Sequence, residues 1–121
     1  LNSVKLNELS VLIGGKAGDG INQAGVLLCQ LLSQLGYFVY MYFDYPSLIR
    51  GGHNFSIVRA SSNKITAHRD EVDYILAFNQ DSLNFHAQRL KKKSHLIYDS
   101  DTVEAEGLGL PLAKIVITRY Y

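Results

Sequence analysis

The stretch that most restricts the fold runs from residue 9 to residue 20. Residues 9–15 (LSVLIGG) form a short apolar run ending in paired glycines, and Gly18-Asp19-Gly20 follows at once. A run this short, closed by turn residues, reads as a buried strand delivered into a tight turn. The period then changes. Ile21, Gly25, Leu28, Leu32 and Leu35 fall on one stripe at helical spacing, and Gly36 supplies the stop signal. Val26, Leu27 and Leu31 widen that stripe, so the helix is expected to be covered on more than one side. Strand, tight turn, helix is the opening of a layered α/β domain.

The remaining elements fit that opening. Residues 37–43 (YFVYMYF) are rich in aromatics and read as a second strand. Residues 55–60 and 64–68 read as two strands of a hairpin joined at Ser61-Ser62-Asn63. Residues 72–78 (VDYILAF) form another strand, with Asn79 or Asp81 placed to cap the helix after it. Leu83, His86, Ala87 and Leu90 give that helix a narrower stripe, and Lys91-Lys92-Lys93 is expected at its end, where cations suit the dipole. Residues 95–98 and 115–118 supply two short strands. The expected fold is a three-layer α/β domain with a mostly parallel but mixed sheet carrying a β-hairpin, Rossmann-like or flavodoxin-like in type.

Composition narrows the functional classes. The chain has 121 residues, enough for one domain, and 47% of them are hydrophobic. A net charge of +1 gives no pull towards nucleic acid. No apolar run approaches the roughly 20 residues of a membrane span, and no signal stretch opens the sequence. A cytoplasmic protein is expected. Cys29 is the single cysteine. One thiol makes no internal disulfide and cannot alone hold an iron–sulfur cluster or a thiolate zinc site. The chain starts with Leu and stops directly after an apolar strand, so it is expected to be a trimmed part of a larger domain, and to self-associate when isolated.

The glycine-rich turn is a place where backbone N–H groups meet anions, so Gly15, Gly18, Asp19 and Gly20 are candidate binding residues. Three familiar patterns do not fit it. The dinucleotide fingerprint needs G-x-G-x-x-G, whereas the order here is Gly15-x-x-Gly18-x-Gly20. The nucleotide-triphosphate loop needs Gly-Lys-Ser/Thr. Gly18-Asp19-Gly20 matches the opening of a thiamine diphosphate motif, but the Asn required further on to complete magnesium's oxygen shell is missing between positions 44 and 50. Glycines that merely let strand and helix pack closely are the competing reading.

The second candidate lies in the loop 44–54. Gly51 and Gly52 permit close approach of a ligand or another chain, and Arg50 offers a planar fork for phosphate or carboxylate. His53 and Asn54 follow with further hydrogen-bonding groups. A structural turn with a surface arginine is the plain alternative.

The decapeptide 45–54 (YPSLIRGGHN), preceded by IGGKAGDGI at 13–21 and followed by VDYILAFN at 72–79, resembles the gamma subunit or domain of 2-oxoacid:ferredoxin oxidoreductases. The resemblance covers about residues 11–100 in order and spacing, and is greatest to the version fused at the front of an alpha subunit. It implies an assembly of anaerobic metabolism that decarboxylates a 2-oxoacid oxidatively with CoA and passes electrons to ferredoxin. In that family thiamine diphosphate and magnesium lie between the alpha and beta parts, and the iron–sulfur clusters in the beta or a ferredoxin-like delta part. No catalytic residue, metal or resident cofactor is therefore expected in this chain, which is expected to pack against the alpha and beta parts and to take part in the CoA site. The rival readings are a free-standing nucleotide- or dinucleotide-binding module and a purely structural domain.

Overall fold

In the computed structural model, which describes residues 7–16, 18–44, 53–64, 69–105 and 113–117, the first apolar run lies in the middle of the sheet. This strand, β1 (Glu8–Lys16), is followed by α1 (Ile21–Gln34), β2 (Phe38–Asp44), β3 (His53–Ser61) and β4 (Val72–Ala77). Then come α2 (Gln80–His86), a single 3-10 turn (Ala87–Arg89), β5 (Leu90–Asp99) and β6 (Ala113–Ile117). The strand order is β2-β3-β1-β4-β5-β6. β3 runs antiparallel to both of its neighbours, whereas β1, β4, β5 and β6 run parallel. The sheet is mixed and mostly parallel, as expected.

The antiparallel part of the sheet is β3 set between β1 and β2. Residues 65–68, in the second arm of the expected hairpin, lie outside the described residues. Two expectations need correction. The second helix stops at His86, so the three lysines begin β5 instead of ending a helix. They sit where β4 and β5 slip register, between the pairs Val72↔Leu90 and Tyr74↔His95. Ser94 pins this irregularity: its Oγ accepts from Lys91 N at 2.9 Å and donates to Val72 O at 2.7 Å. Finally, the wide stripe of α1 is not covered by the described residues. Ile21, Gly25 and Leu32 are buried, but Val26, Leu27, Leu31 and Leu35 are exposed.

Alternation along the strands sends side chains to two faces. Val11 and Ile13 join Ile21 beneath α1, while Leu12, Ile57, Ile75 and Leu96 join Leu83 beneath α2. The helices therefore lie on opposite faces, which makes three layers. The connection from β1 leaves through α1 and that from β4 through α2. Two adjacent parallel strands thus send their chains to opposite sides, which opens a crevice beyond their carboxyl ends. Among the described residues no helix is long and apolar enough to cross a membrane.

Candidate functional site

The glycine turn is built by local hydrogen bonds. Asp19 N donates to Lys16 O at 3.1 Å, and Lys16 N donates to Asp19 Oδ2 at 3.0 Å, so the carboxylate closes the turn on itself. Gly20 stands at the helix N-cap with φ 75°, a left-handed conformation that strongly favours glycine, and makes no side-chain cap. Gly14, at the end of β1, is there for space. A Cβ on it would sit 2.6 Å from Ser82 Oγ and 3.4 Å from His53 Cε1. A Cβ on Gly15 would meet Asp19 Oδ2 and Ile21 Cδ1, each at 2.8 Å, on the other face. Close packing of strand and helix thus accounts for both glycines without any ligand.

The β1–β3 register joins the two candidate stretches. Lys16 pairs with His53, and Gly15 with Asn54. Residues distant in sequence therefore meet at one end of the sheet. Arg50, Gly51 and Gly52 lie outside the described residues. Asn54 is directed to the α1 side, and its Oδ1 is buried without a hydrogen bond among the described residues.

His53 points to the α2 side, where it is 4% exposed. Its Nε2 lies 3.0 Å from His86 Nε2, and His86 Nδ1 accepts from Arg89 Nε at 3.2 Å. Arg89 also donates from Nη1 to Asp70 O at 3.3 Å. Phe55 and Phe85 close the cluster, with the Phe55 and His86 ring centroids 4.3 Å apart and those of His53 and Phe85 5.2 Å apart. A cavity of about 240 Å³ opens among these five side chains. Burial lowers the His53 pKa below its ordinary value, although Asp81, Asp44 and the Gly15 backbone pull the other way. His53 is accordingly neutral at pH 7. Its Nδ1 is buried, and a hydrogen bond with the Gly15 backbone is among the influences on the ring.

A second cavity, of about 350 Å³, occupies the crevice at the strand ends and is lined by Asp19, Leu76, Ala77, Phe78, Ile97, Tyr98 and Asp99. Among the described residues Asp19 is the only sequence-expected site residue in it. Its two carboxylates suit hydroxyl and amine donors better than phosphate. Among the described residues no group of three His, Cys, Asp or Glu side chains converges to hold a metal ion. A phosphate at this end of the sheet would instead meet Lys16 and the N–H groups opening α1.

Reading the sequence missed Phe55, Phe85, His86 and Arg89 as site residues. His86 was counted in a helical apolar stripe. The available signal was that a histidine on such a stripe must find a polar partner once buried.

Residues 10–120 match the family described as Pyruvate ferredoxin/flavodoxin oxidoreductase. The chain is 30% identical over 95 residues to the alpha subunit of 2-oxoacid:ferredoxin oxidoreductase 2 of Aeropyrum pernix, covering 78% of this chain and 15% of that one. It is 28% identical over 115 residues to the 2-oxoglutarate synthase subunit KorC of Archaeoglobus fulgidus, covering 93% and 62% respectively. The fold matches a 2-oxoglutarate:ferredoxin oxidoreductase from Magnetococcus marinus, solved with 2-oxoglutarate, coenzyme A and succinyl-CoA bound. There the TM-score is 0.80 at 25% identity, over 91% of this chain and 20% of that one. It also matches the gamma subunit of a keto/oxoacid ferredoxin oxidoreductase from Geobacter sulfurreducens, with a TM-score of 0.71 at 22% identity over 90% and 60%. The chain thus spans a fraction, from 15% to 62%, of each of these proteins. It belongs to the pyruvate ferredoxin/flavodoxin oxidoreductase family, and its fold is that of the family's gamma subunits.

Proposed function

We propose that this chain is the gamma-type domain, extending beyond residue 121, of a cytoplasmic 2-oxoacid:ferredoxin oxidoreductase. The assembly converts a 2-oxoacid and CoA to acyl-CoA and carbon dioxide and reduces ferredoxin. Thiamine diphosphate, magnesium and the iron–sulfur clusters belong to the alpha and beta parts in this reading. The chain's own work is to dock on those parts and to help hold CoA. The observation that carries the proposal is the β1–β3 register, which sets Gly15 and Lys16 beside Asn54 and His53. It brings the anion-suited turn to the residues that follow Arg50-Gly51-Gly52 in the sequence. CoA carries a diphosphate and a ribose phosphate, and these residue types answer that chemistry. The CoA-bound relative with the same fold supports the choice of ligand.

Arg50→Ala in the assembled enzyme tests it. Loss of one charge-assisted contact, about 1.5–3 kcal/mol, raises the KM for CoA roughly ten- to hundredfold and hardly moves the 2-oxoacid KM. A complex that dissociates on size exclusion while its CoA dependence is unchanged assigns Arg50 to assembly. An intact complex with unchanged CoA dependence removes both roles. The crevice at the strand ends favours a second reading, a free-standing nucleotide- or dinucleotide-binding module. Binding titrations with NAD, FAD, ATP and CoA separate the two.

A further inference from the structure

β2 forms one edge of the sheet. It pairs with β3 along its whole length, from Phe38↔Ser61 to Asp44↔Phe55, and has no second neighbour among the described residues. Half of its backbone N–H and C=O groups therefore point away from the sheet. Such edges are normally guarded by a lysine, a proline or a bulge. Residues 38–43 (FVYMYF) contain neither lysine nor proline, and their register with β3 is unbroken. Alternation puts Phe38, Tyr40 and Tyr42 on one face, where they are 54%, 50% and 43% exposed. Val39 and Met41 face α1 instead. An open groove of about 640 Å³ lies there, between those two side chains and Cys29, Gln30, Ser33 and Gln34.

We propose that β2 is a seam for a second copy of this chain, added edge to edge and antiparallel about a twofold axis through Met41. The strand is complementary to itself. Met41 is the midpoint of Phe38–Asp44, so this twofold register alone pairs all seven residues. It sets Tyr40 opposite Tyr42 of the second copy and Tyr42 opposite its Tyr40. Aromatic cross-strand pairs of this kind stabilise a sheet. On the other face Val39 meets Phe43, and the two Met41 residues meet at the axis, each beside the groove of its own α1. The one charge on the strand, Asp44, falls opposite Phe38, so no like charges are opposed. An unrelated partner would have to supply a matching apolar strand, whereas a second copy already carries it. The seam leaves the exposed Leu27 and Leu31 of α1 untouched, because α1 borders Val39 and Met41 with Cys29 and Ser33.

Disulfide cross-linking in the full-length protein that carries this chain, with the linked peptides read by mass spectrometry, tests the register. Cys29→Ser first removes this chain's single native thiol. In that background Met41→Cys is expected to link two copies under mild oxidation. Opposed residues of an antiparallel pair lie about 4.5–5.5 Å apart at Cα, within disulfide reach. Phe38→Cys is expected to give no link, since the two Phe38 positions would stand six residues, about 20 Å, apart. Copies with Tyr40→Cys and copies with Tyr42→Cys are expected to link when mixed. Both side chains are half exposed, so this pair decides the matter if Met41→Cys unfolds the chain. Tyr40→Lys, which puts a cation into the tyrosine ladder, is expected to weaken association of the copies roughly tenfold in sedimentation equilibrium. Equal linking at Phe38 and Met41, links only to a different chain, or no link at either the Met41 or the tyrosine positions overturns the proposal. Association unmoved by Tyr40→Lys overturns it as well.

Discussion

The two faces of the sheet are built from equally apolar strands, yet only one is closed. Beneath α2, Leu12, Ile75 and Leu96 are fully buried at 0% exposure, and Val103 and Ala105 from the connection after β5 help to seal them. On the opposite face α1 lies over β1, β2 and β3. Beyond it Tyr74, Leu76, His95 and Ile97 are only partly covered. Leu27 and Leu31, 59% and 52% exposed, lie on the flank of α1 turned away from β2, since its other flank, Cys29 and Ser33, borders Val39 and Met41. The longer helix therefore leaves more apolar surface open than the shorter one. What makes a core is a covering element, not apolar residues alone.

The sharpest way to break this comparison uses neighbours on β4. Ile75→Ala is expected to cost about 2–5 kcal/mol, the usual cost of a cavity at a fully buried site. Leu76→Ala, one residue on and facing the other way, should cost about 1 kcal/mol. Urea midpoints at constant slope measure both, and equal losses would mean that the two faces are equally closed.

Gly14→Ala comes next. Its Cβ would fall 2.6 Å from Ser82 Oγ, in the tight contact between β1 and α2. An overpacking cost of about 1–3 kcal/mol is expected, visible as a lowered Tm. A neutral result would show that α2 can move away from the sheet.

A smaller effect separates the helix starts. Asn79 Oδ1 accepts from Ser82 N at 3.0 Å and from Ser82 Oγ at 2.7 Å, whereas α1 has no side-chain cap. Asn79→Ala should cost about 1 kcal/mol in the same thermal assay, and no loss would make packing alone responsible for α2.

Leu31→Gln should change stability least, within about 0.5 kcal/mol, because the side chain is already half in water. Its effect belongs to association. We propose that the isolated chain self-associates through the open α1 side, so this substitution should lower the associated fraction in sedimentation velocity. An unchanged fraction would place the contact elsewhere.

Much of the architecture was legible because its causes are local. The apolar run of β1, its closing glycines, the stripe through Ile21, Gly25 and Leu32, and the Asn79 cap each depend on residues a few positions apart. Those short-range rules also marked the glycine turn and His53, but not Phe55, Phe85, His86 and Arg89 around it. The three lysines were misassigned for the converse reason. What keeps them in β5 is Ser94 reaching back to Val72, a contact between strands that no local period records. Arg59 makes the same point: it lies within an apolar strand, yet is 2% exposed and held near Glu8 Oε1 at 3.4 Å.

The amino-acid order by itself determined the alternation of strands and helices, the glycine-rich turn after β1 and the absence of thiols enough to hold a cluster. Only tertiary structure decided that Gly15 lies beside Asn54, that His53, His86 and Arg89 form one chain of donors and acceptors, and that α2's face is sealed while α1's is not. The physical reason is that strand register and side-chain burial are set by what packs across the sheet. A histidine's partner depends on neighbours some thirty residues away, brought within hydrogen-bonding distance by the pairing of β1 with β3 and the packing of α2.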